Sequence, residues 1–163
     1  GDLVINAVRG AASLDVLQSV GNSILRGKTL IDTSNAIAAG RDFQTLFTTD
    51  ADSLFVKDTD SVGEMLQRAL PSTHVVKTLN TMLAPLMANP NLVADGDHTV
   101  FVSGNNAAAK AQVADLLREI GWRDILDLGD ISTARATEMY IALGLGLIRT
   151  LGPVRSALKV VRE

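Results

Sequence analysis

Three pairs of polar residues stand where short apolar runs end: Asn6 with Arg9, Ser34 with Asn35, and Asn80 with Thr81. Amides and hydroxyls donate and accept hydrogen bonds but make poor nucleophiles, and the one guanidinium either meets a phosphate or carboxylate or stays in solvent. If the preceding runs are neighbouring parallel strands, their carboxyl ends converge on one rim, where open α/β sheets hold ligands. Taken singly, each pair looks like an ordinary loop cap. Their threefold recurrence points to a shared site that binds and orients a ligand.

Other chemistries find little support. The absence of cysteine excludes disulfides, thiolate catalysis and cysteine-based zinc sites. His74 and His98 lack ligand spacing, so no metal site is expected, and both read as solvent-edge or locally hydrogen-bonded residues. No phosphate loop or nucleophile elbow occurs. Gly144-Leu145-Gly146-Leu147-Ile148-Arg149 carries Arg where the third glycine of a dinucleotide fingerprint belongs and lies inside an apolar helical run, so it reads as close helix packing. The 15 basic and 18 acidic residues are scattered and sum to -3, which gives nucleic acid or an anionic membrane no basic face.

The elements that position the polar pairs follow from apolar periodicity. Strands are predicted over residues 3–7, 28–32 (KTLID), 74–80 (HVVKTLN), 98–104 (HTVFVSG) and 124–129 (DILDLG). Ser13 is expected to cap a helix that runs to Val20 and stops at Gly21. Ser61-Val62-Gly63-Glu64 is a capping box opening a helix to about Ala69, with Asp58 and Asp60 complementing its macrodipole. A helical segment over 82–88 has Pro85 in its first turn or kinking it. Ala109, Val113, Leu116, Leu117 and Ile120 share one face of a helix that begins after a Ser103-Gly104-Asn105 cap and ends at Gly121. Ser132 opens a last helix to about Leu151, before Gly152 and Pro153. Residues 34–59 are too long for an ordinary connector and are expected to be functional or mobile.

Alternating strands and helices in 163 residues, 47% of them hydrophobic, imply one α/β domain around a mostly parallel sheet. Residues 139–148 (MYIALGLGLI) are well short of the roughly 18 to 20 apolar residues a membrane span needs. Such a helix belongs in a core or at a subunit contact, and the core is the expectation. No secretion signal is read in the opening residues, so the cytoplasm is the expected compartment.

The stretches LFVKDTDSVGEMLQRALPSTHVVKTLNTM and HTVFVSGNNAAAKAQVADLLREIGWRDILDLGDISTARATEM closely resemble the NADP-dependent reductases that use the deazaflavin coenzyme F-420. The same pattern is similar to the cytoplasmic domain of metalloreductases sharing that fold. The resemblance runs from Asp2 to about Gly152. It implies a partial Rossmann-like fold, with residues 1–95 as the second half of a doubly wound NADP-binding domain and 96–163 as a C-terminal α/β segment packed on it. It also implies direct hydride transfer between NADP(H) and a deazaflavin or a flavin, with no obligatory protein acid or base. Asn6, Ala7, Val8 and Arg9 would lie on the loop passing the ribose and pyrophosphate, and Asn35 at the next strand end. Asn80 and Thr81 would lie beside the nicotinamide and the second coenzyme.

The chain departs from the family in three places. Some relatives carry His where Asn80 stands, so no proton-donating role is carried over to it. The segment SNAIAAG lacks an Asn-Pro seen in close relatives. The family's glycine-rich turn, and the residues that read the NADP 2′-phosphate, have no counterpart. The resemblance therefore implies a missing βαβαβ half of about 60 to 80 residues. A competing reading is a non-catalytic interaction or dimerisation module using the exposed first strand, which leaves a homodimer open. A ferric reductase like the membrane relatives is a third, without a haem-binding or spanning segment to support it.

Overall fold

The computed structural model describes residues 1–40, 54–152 and 154–163. Its elements are β1 (Leu3–Asn6), α1 (Gly10–Val20), α2 (Asn22–Leu25), β2 (Thr29–Asp32), α3 (Val62–Ala69), β3 (His74–Thr78), α4 (Ala84–Ala88), β4 (Thr99–Ser103), α5 (Ala107–Ile120), β5 (Asp124–Asp127) and α6 (Ala134–Leu151). The five strands form one sheet in the order β1-β2-β3-β4-β5. All neighbouring pairs are parallel except β3 with β4. The fold is therefore α/β and Rossmann-like, with a mostly parallel sheet.

Side-chain alternation along the central strands feeds two cores. Leu30 and Val75 point to one face, where they pack with Leu17, Leu66 and Leu70. Ile31 and Val76 point to the other, where Val113, Leu117 and Trp122 cover them. Strands apolar on both faces are what a sheet with helices on each side demands. Both loop and rim polarity are thus confined to the strand ends.

Several local expectations are corrected. Helix α1 begins at Gly10, one turn before Ser13, whose buried hydroxyl reaches back to Val8 O (3.4 Å) and Arg9 O (3.2 Å) instead of capping. The box at α3 is half formed: Ser61 Oγ accepts from Glu64 N (3.1 Å), but the Ser61 amide donates to Asp60 and the Glu64 carboxylate turns to Arg135. Asn106 caps α5, while Asn105 accepts from Ile131 N. Of the two readings of His98, the locally hydrogen-bonded one holds and the solvent-edge one does not: it is buried, with Nε2 on Pro90 O (2.8 Å) and its ring edge-on to Trp122. In α6 only Ala134, Thr137 and Glu138 are buried. Leu143 is 56% exposed and no atom lies within 4 Å of a Cβ added at Gly146, so neither the core reading nor close glycine packing holds there. The apolar run simply extends past the layer that buries the helix's first turns. Residues 41–53, half of the long segment over 34–59, lie outside the described residues.

Candidate functional site

Because β1, β2 and β3 are parallel neighbours, their carboxyl ends open on one rim, as the three polar pairs require. The last row of the sheet there is polar from strand to strand: Asn6 is in register with Asp32, Asp32 with Lys77, and Lys77 with Ser103. All four are buried. Buried polar groups persist only when hydrogen-bonded, and buried charges only when paired.

The pairing is complete around Lys77. Its Nζ lies 2.8 Å from Asp32 Oδ2, 2.6 Å from Ser34 O and 2.7 Å from Glu138 Oε1, one partner for each ammonium hydrogen. Glu138 also accepts from the amides of Val62 (2.9 Å) and Gly63 (3.1 Å), the first turn of α3, where a negative charge meets the positive end of the helix. Gly63 permits this approach, since a Cβ there would stand 3.2 Å from both Ala134 and Ile131. Asp32 Oδ1 accepts from Asn6 Nδ2 (2.9 Å) and from Ser34 N (3.1 Å). At the outer edge of α3, the hydrogen-bonded Arg68 guanidinium holds the Asp60 carboxyl below its ordinary range against the opposing effect of desolvation.

The second and third strand ends are joined by a pair of amides. Asn35 Nδ2 donates to Asn80 O (2.9 Å), and Asn80 Nδ2 donates to Asn35 Oδ1 (3.0 Å) and to Thr137 O (2.9 Å) on α6. The chain turns towards this pair at Leu79, which adopts φ +63°, a conformation costing a branched side chain on the order of 1 kcal/mol or more. Thr81 follows, buried.

Beside the rim lies a cavity of about 410 Å³ walled by Ala7, Val8, Arg9, Gly10, Ala11, Thr33, Ser34, Asn35, Ile37, Ala38, Ala39, Ala84 and Met87. Five of the residues expected at a site line it: Ala7, Val8, Arg9, Ser34 and Asn35. Asn80 reaches it through Asn35. Asn6 sits behind the wall, its amide engaged by Asp32 and Ser13. The first turn of α1 opens here without a side-chain cap, leaving amides available at a helix N-terminus. Gly10 lets that turn press against the Asn35 carbonyl, since a Cβ would stand 2.0 Å from Asn35 O. Ser34 Oγ is buried without a partner among the described residues. An anionic sugar-phosphate fits these features: uncapped amides, an exposed guanidinium and an orphaned hydroxyl beside small apolar side chains that a flat ring can lie against. These features fit the sugar-phosphate part of such a ligand.

Residue spacing alone did not reveal Gly10, Lys77 or Glu138. For the two charges a signal existed, since Lys77 stands inside the apolar HVVKTLN and Asp32 closes KTLID, and a charge in a buried strand must be paired. Among the described residues no group of three His, Cys, Asp or Glu could hold a metal ion, and no helix is long and apolar enough to cross a membrane.

No protein-family model matches the chain. It is 30% identical over 115 residues to the metalloreductase STEAP3 of Rattus norvegicus, a match covering 70% of this chain and 20% of that protein. The chain thus spans about one fifth of the curated relative's length. A solved structure from Arthrobacter sp. FB24, described as a candidate F-420-dependent NADP reductase, superposes with a TM-score of 0.91 at 44% identity, over 99% of this chain and 70% of the other. A hypothetical protein from Sinorhizobium meliloti superposes with a TM-score of 0.63 at 26% identity, over 100% of this chain and 68% of the other.

Proposed function

The chain belongs to the family of F-420-dependent NADP reductases, and from that premise we propose that its rim is one wall of an oxidoreductase site for NADP(H) and a second redox molecule, a deazaflavin of the coenzyme F-420 type ahead of a flavin. The observation that carries the reading is the cavity at the ends of β1 and β2, where the uncapped turn of α1 and Arg9 face a space bordered by small side chains, with the unpartnered Ser34 hydroxyl buried in its wall.

When bound, the nicotinamide supplies the hydride chemistry, and the chain's own residues bind, orient and exclude water. Ala7, Val8 and Arg9 would run along ribose and phosphate, with Arg9 and the first amides of α1 meeting negative charge. Asn35, braced by Asn80, would present its strand end to the same ligand, with Thr81 beside the nicotinamide. Neither asparagine is an acid or a base, so these residues set distance and orientation and move no proton. Asn6 supports the wall from behind. The division near residue 95 and a cytoplasmic setting belong to the same proposal.

In the natural polypeptide, NADPH deuterated at the transferable position and mixed with coenzyme F-420 is expected to leave the deuterium on the deazaflavin. Recovery of the label in water, or NADPH oxidation that needs a ferric chelate and ignores the deazaflavin, overturns this reading. Because the sequence has no glycine-rich turn, the main pyrophosphate grip is assigned outside this wall. Calorimetric titration of the 163 residues alone should then show weak NADPH binding, and a Kd below about 1 μM refutes that assignment.

One observation favours a second reading. Ile5 on β1 is 57% exposed, and β1 pairs only with β2 among the described residues, an apolar edge that suits a partner strand. A homodimer through this edge predicts a concentration-dependent sedimentation coefficient, and a clean monomer at micromolar concentration excludes it.

A further inference from the structure

We propose that Lys77 is a positioning residue for the site, its buried ammonium group fixing the separation of the three strand-end asparagines. The inference rests on reading the rim as the nicotinamide end. Lys77 is 1% exposed, and its partners Asp32 and Glu138 are 0% and 3% exposed. An ion cluster this deep is poor evidence for stability, because well-packed apolar residues in its place are often as stable or more so. Its geometry accounts for it in another way.

Each of the three groups that Lys77 holds is tied to a different asparagine. Asp32 takes the ammonium on Oδ2 and the Asn6 amide on Oδ1. Ser34, whose carbonyl takes the second hydrogen, is joined directly to Asn35 in the chain. Glu138 takes the third, and its neighbour Thr137 accepts the Asn80 amide. One cation therefore links β1, β2, α6 and, through Glu138, the first turn of α3 to a residue only three positions before Asn80 on β3. A shift of the ammonium would move all three strand ends relative to one another. No other group among these contacts touches all three branches. Lys77 itself does not line the cavity. It acts through the asparagines and remains distinct from any ligand contact.

The decisive variant is Asp32→Asn/Lys77→Met. It removes one cation and one anion together and leaves Glu138 on the amides of α3, so the buried net charge is unchanged. In the natural polypeptide, with NADPH and coenzyme F-420, kcat is expected to fall about tenfold to a hundredfold, since hydride transfer is steep in distance and orientation. KM for NADPH should stay within about twofold, because the main phosphate grip lies elsewhere. The side-chain amides of Asn35 and Asn80, followed by NMR, should exchange with deuterium faster than in wild type. Lys77→Arg keeps the charge but not the three-way geometry, and should restore stability without restoring kcat. Unchanged kcat with protected amides overturns the proposal, as does a loss of rate that Lys77→Arg fully restores. If wild-type protein transfers no hydride, the functional reading has failed, and the amide exchange alone then decides: acceleration upholds the positioning role and protection refutes it.

Discussion

Two clusters of paired charges on this sheet, one buried and one exposed, obey different physics. At the carboxyl ends of β1 to β3, Lys77 sits between Asp32 and Glu138, all essentially without solvent contact. At the start of β4 and β5, Lys159 bridges Asp97 and Asp124 while Arg162 also pairs with Asp124, and the two basic side chains are 38% and 51% exposed. In the first cluster every oxygen and hydrogen must be matched inside the protein, because water is absent. In the second, water shares the charges and the ions hold a tail in place cheaply. The buried cluster constrains geometry, whereas the exposed one merely fastens the chain end.

Removing one partner should therefore have its largest effect at the rim. Lys77→Met alone leaves two buried carboxylates without their cation and is expected to cost about 3 to 5 kcal/mol, read as a lower urea midpoint. The balanced Asp32→Asn/Lys77→Met variant should recover part of that loss. If Lys77→Met costs no more than a surface substitution, the rim is wetter than its geometry implies and the contrast between the clusters collapses.

A second contrast concerns glycine. Gly10 stands where the wall is tightest, and Gly10→Ala would drive a methyl into the Asn35 carbonyl, so a cost of about 1 to 3 kcal/mol is expected together with weaker ligand binding. Gly146 stands in open space on α6, and Gly146→Ala should instead raise stability by about 0.5 to 1 kcal/mol through helix propensity. Opposite signs in thermal melts would sharpen the distinction between a packed rim and an extended apolar helix. A loss of stability at Gly146 would mean that something covers that part of α6.

These pairs also mark what sequence could and could not disclose. Apolar runs such as TLID and HVVKT, and the one-sided face of α5, are local signals, and their elements appear within a residue or two of expectation. The three asparagines were visible because polar residues at strand ends stand out against apolar strands. Lys77, Glu138 and Gly10 were harder, since each owes its place to a residue distant in sequence. Glu138 meets the amides of Val62 and Gly63 only after α6 packs on α3, and Gly10 matters only where α1 meets Asn35. Ser13 misled because its hydroxyl satisfies carbonyls behind it, an option that a capping rule does not weigh.

The smallest expected effect lies at the exposed cluster. Thr99 Oγ1 donates to Asp124 Oδ2 (2.6 Å) and accepts from Val160 N (2.9 Å), while Thr99 N donates to Leu158 O (2.7 Å), so Asp124 anchors the tail by relay as well as by charge. The Thr99 hydroxyl first, then Lys159 and Arg162, hold the Asp124 carboxyl below the usual aspartate value of 3.8 against desolvation. A carboxyl depressed on folding contributes stability that is complete above its unfolded value and is lost as the pH falls through the lower folded value. Asp124→Asn should thus cost no more than about 1 kcal/mol near neutrality, an amount that shrinks with added salt. The Val160 amide should exchange faster in that variant, and the stability curves of variant and wild type should close on each other only in acid below about pH 4. A gap as wide as that of Lys77→Met, or one indifferent to salt, would place this cluster in the same class as the rim and remove exposure as the property that separates them.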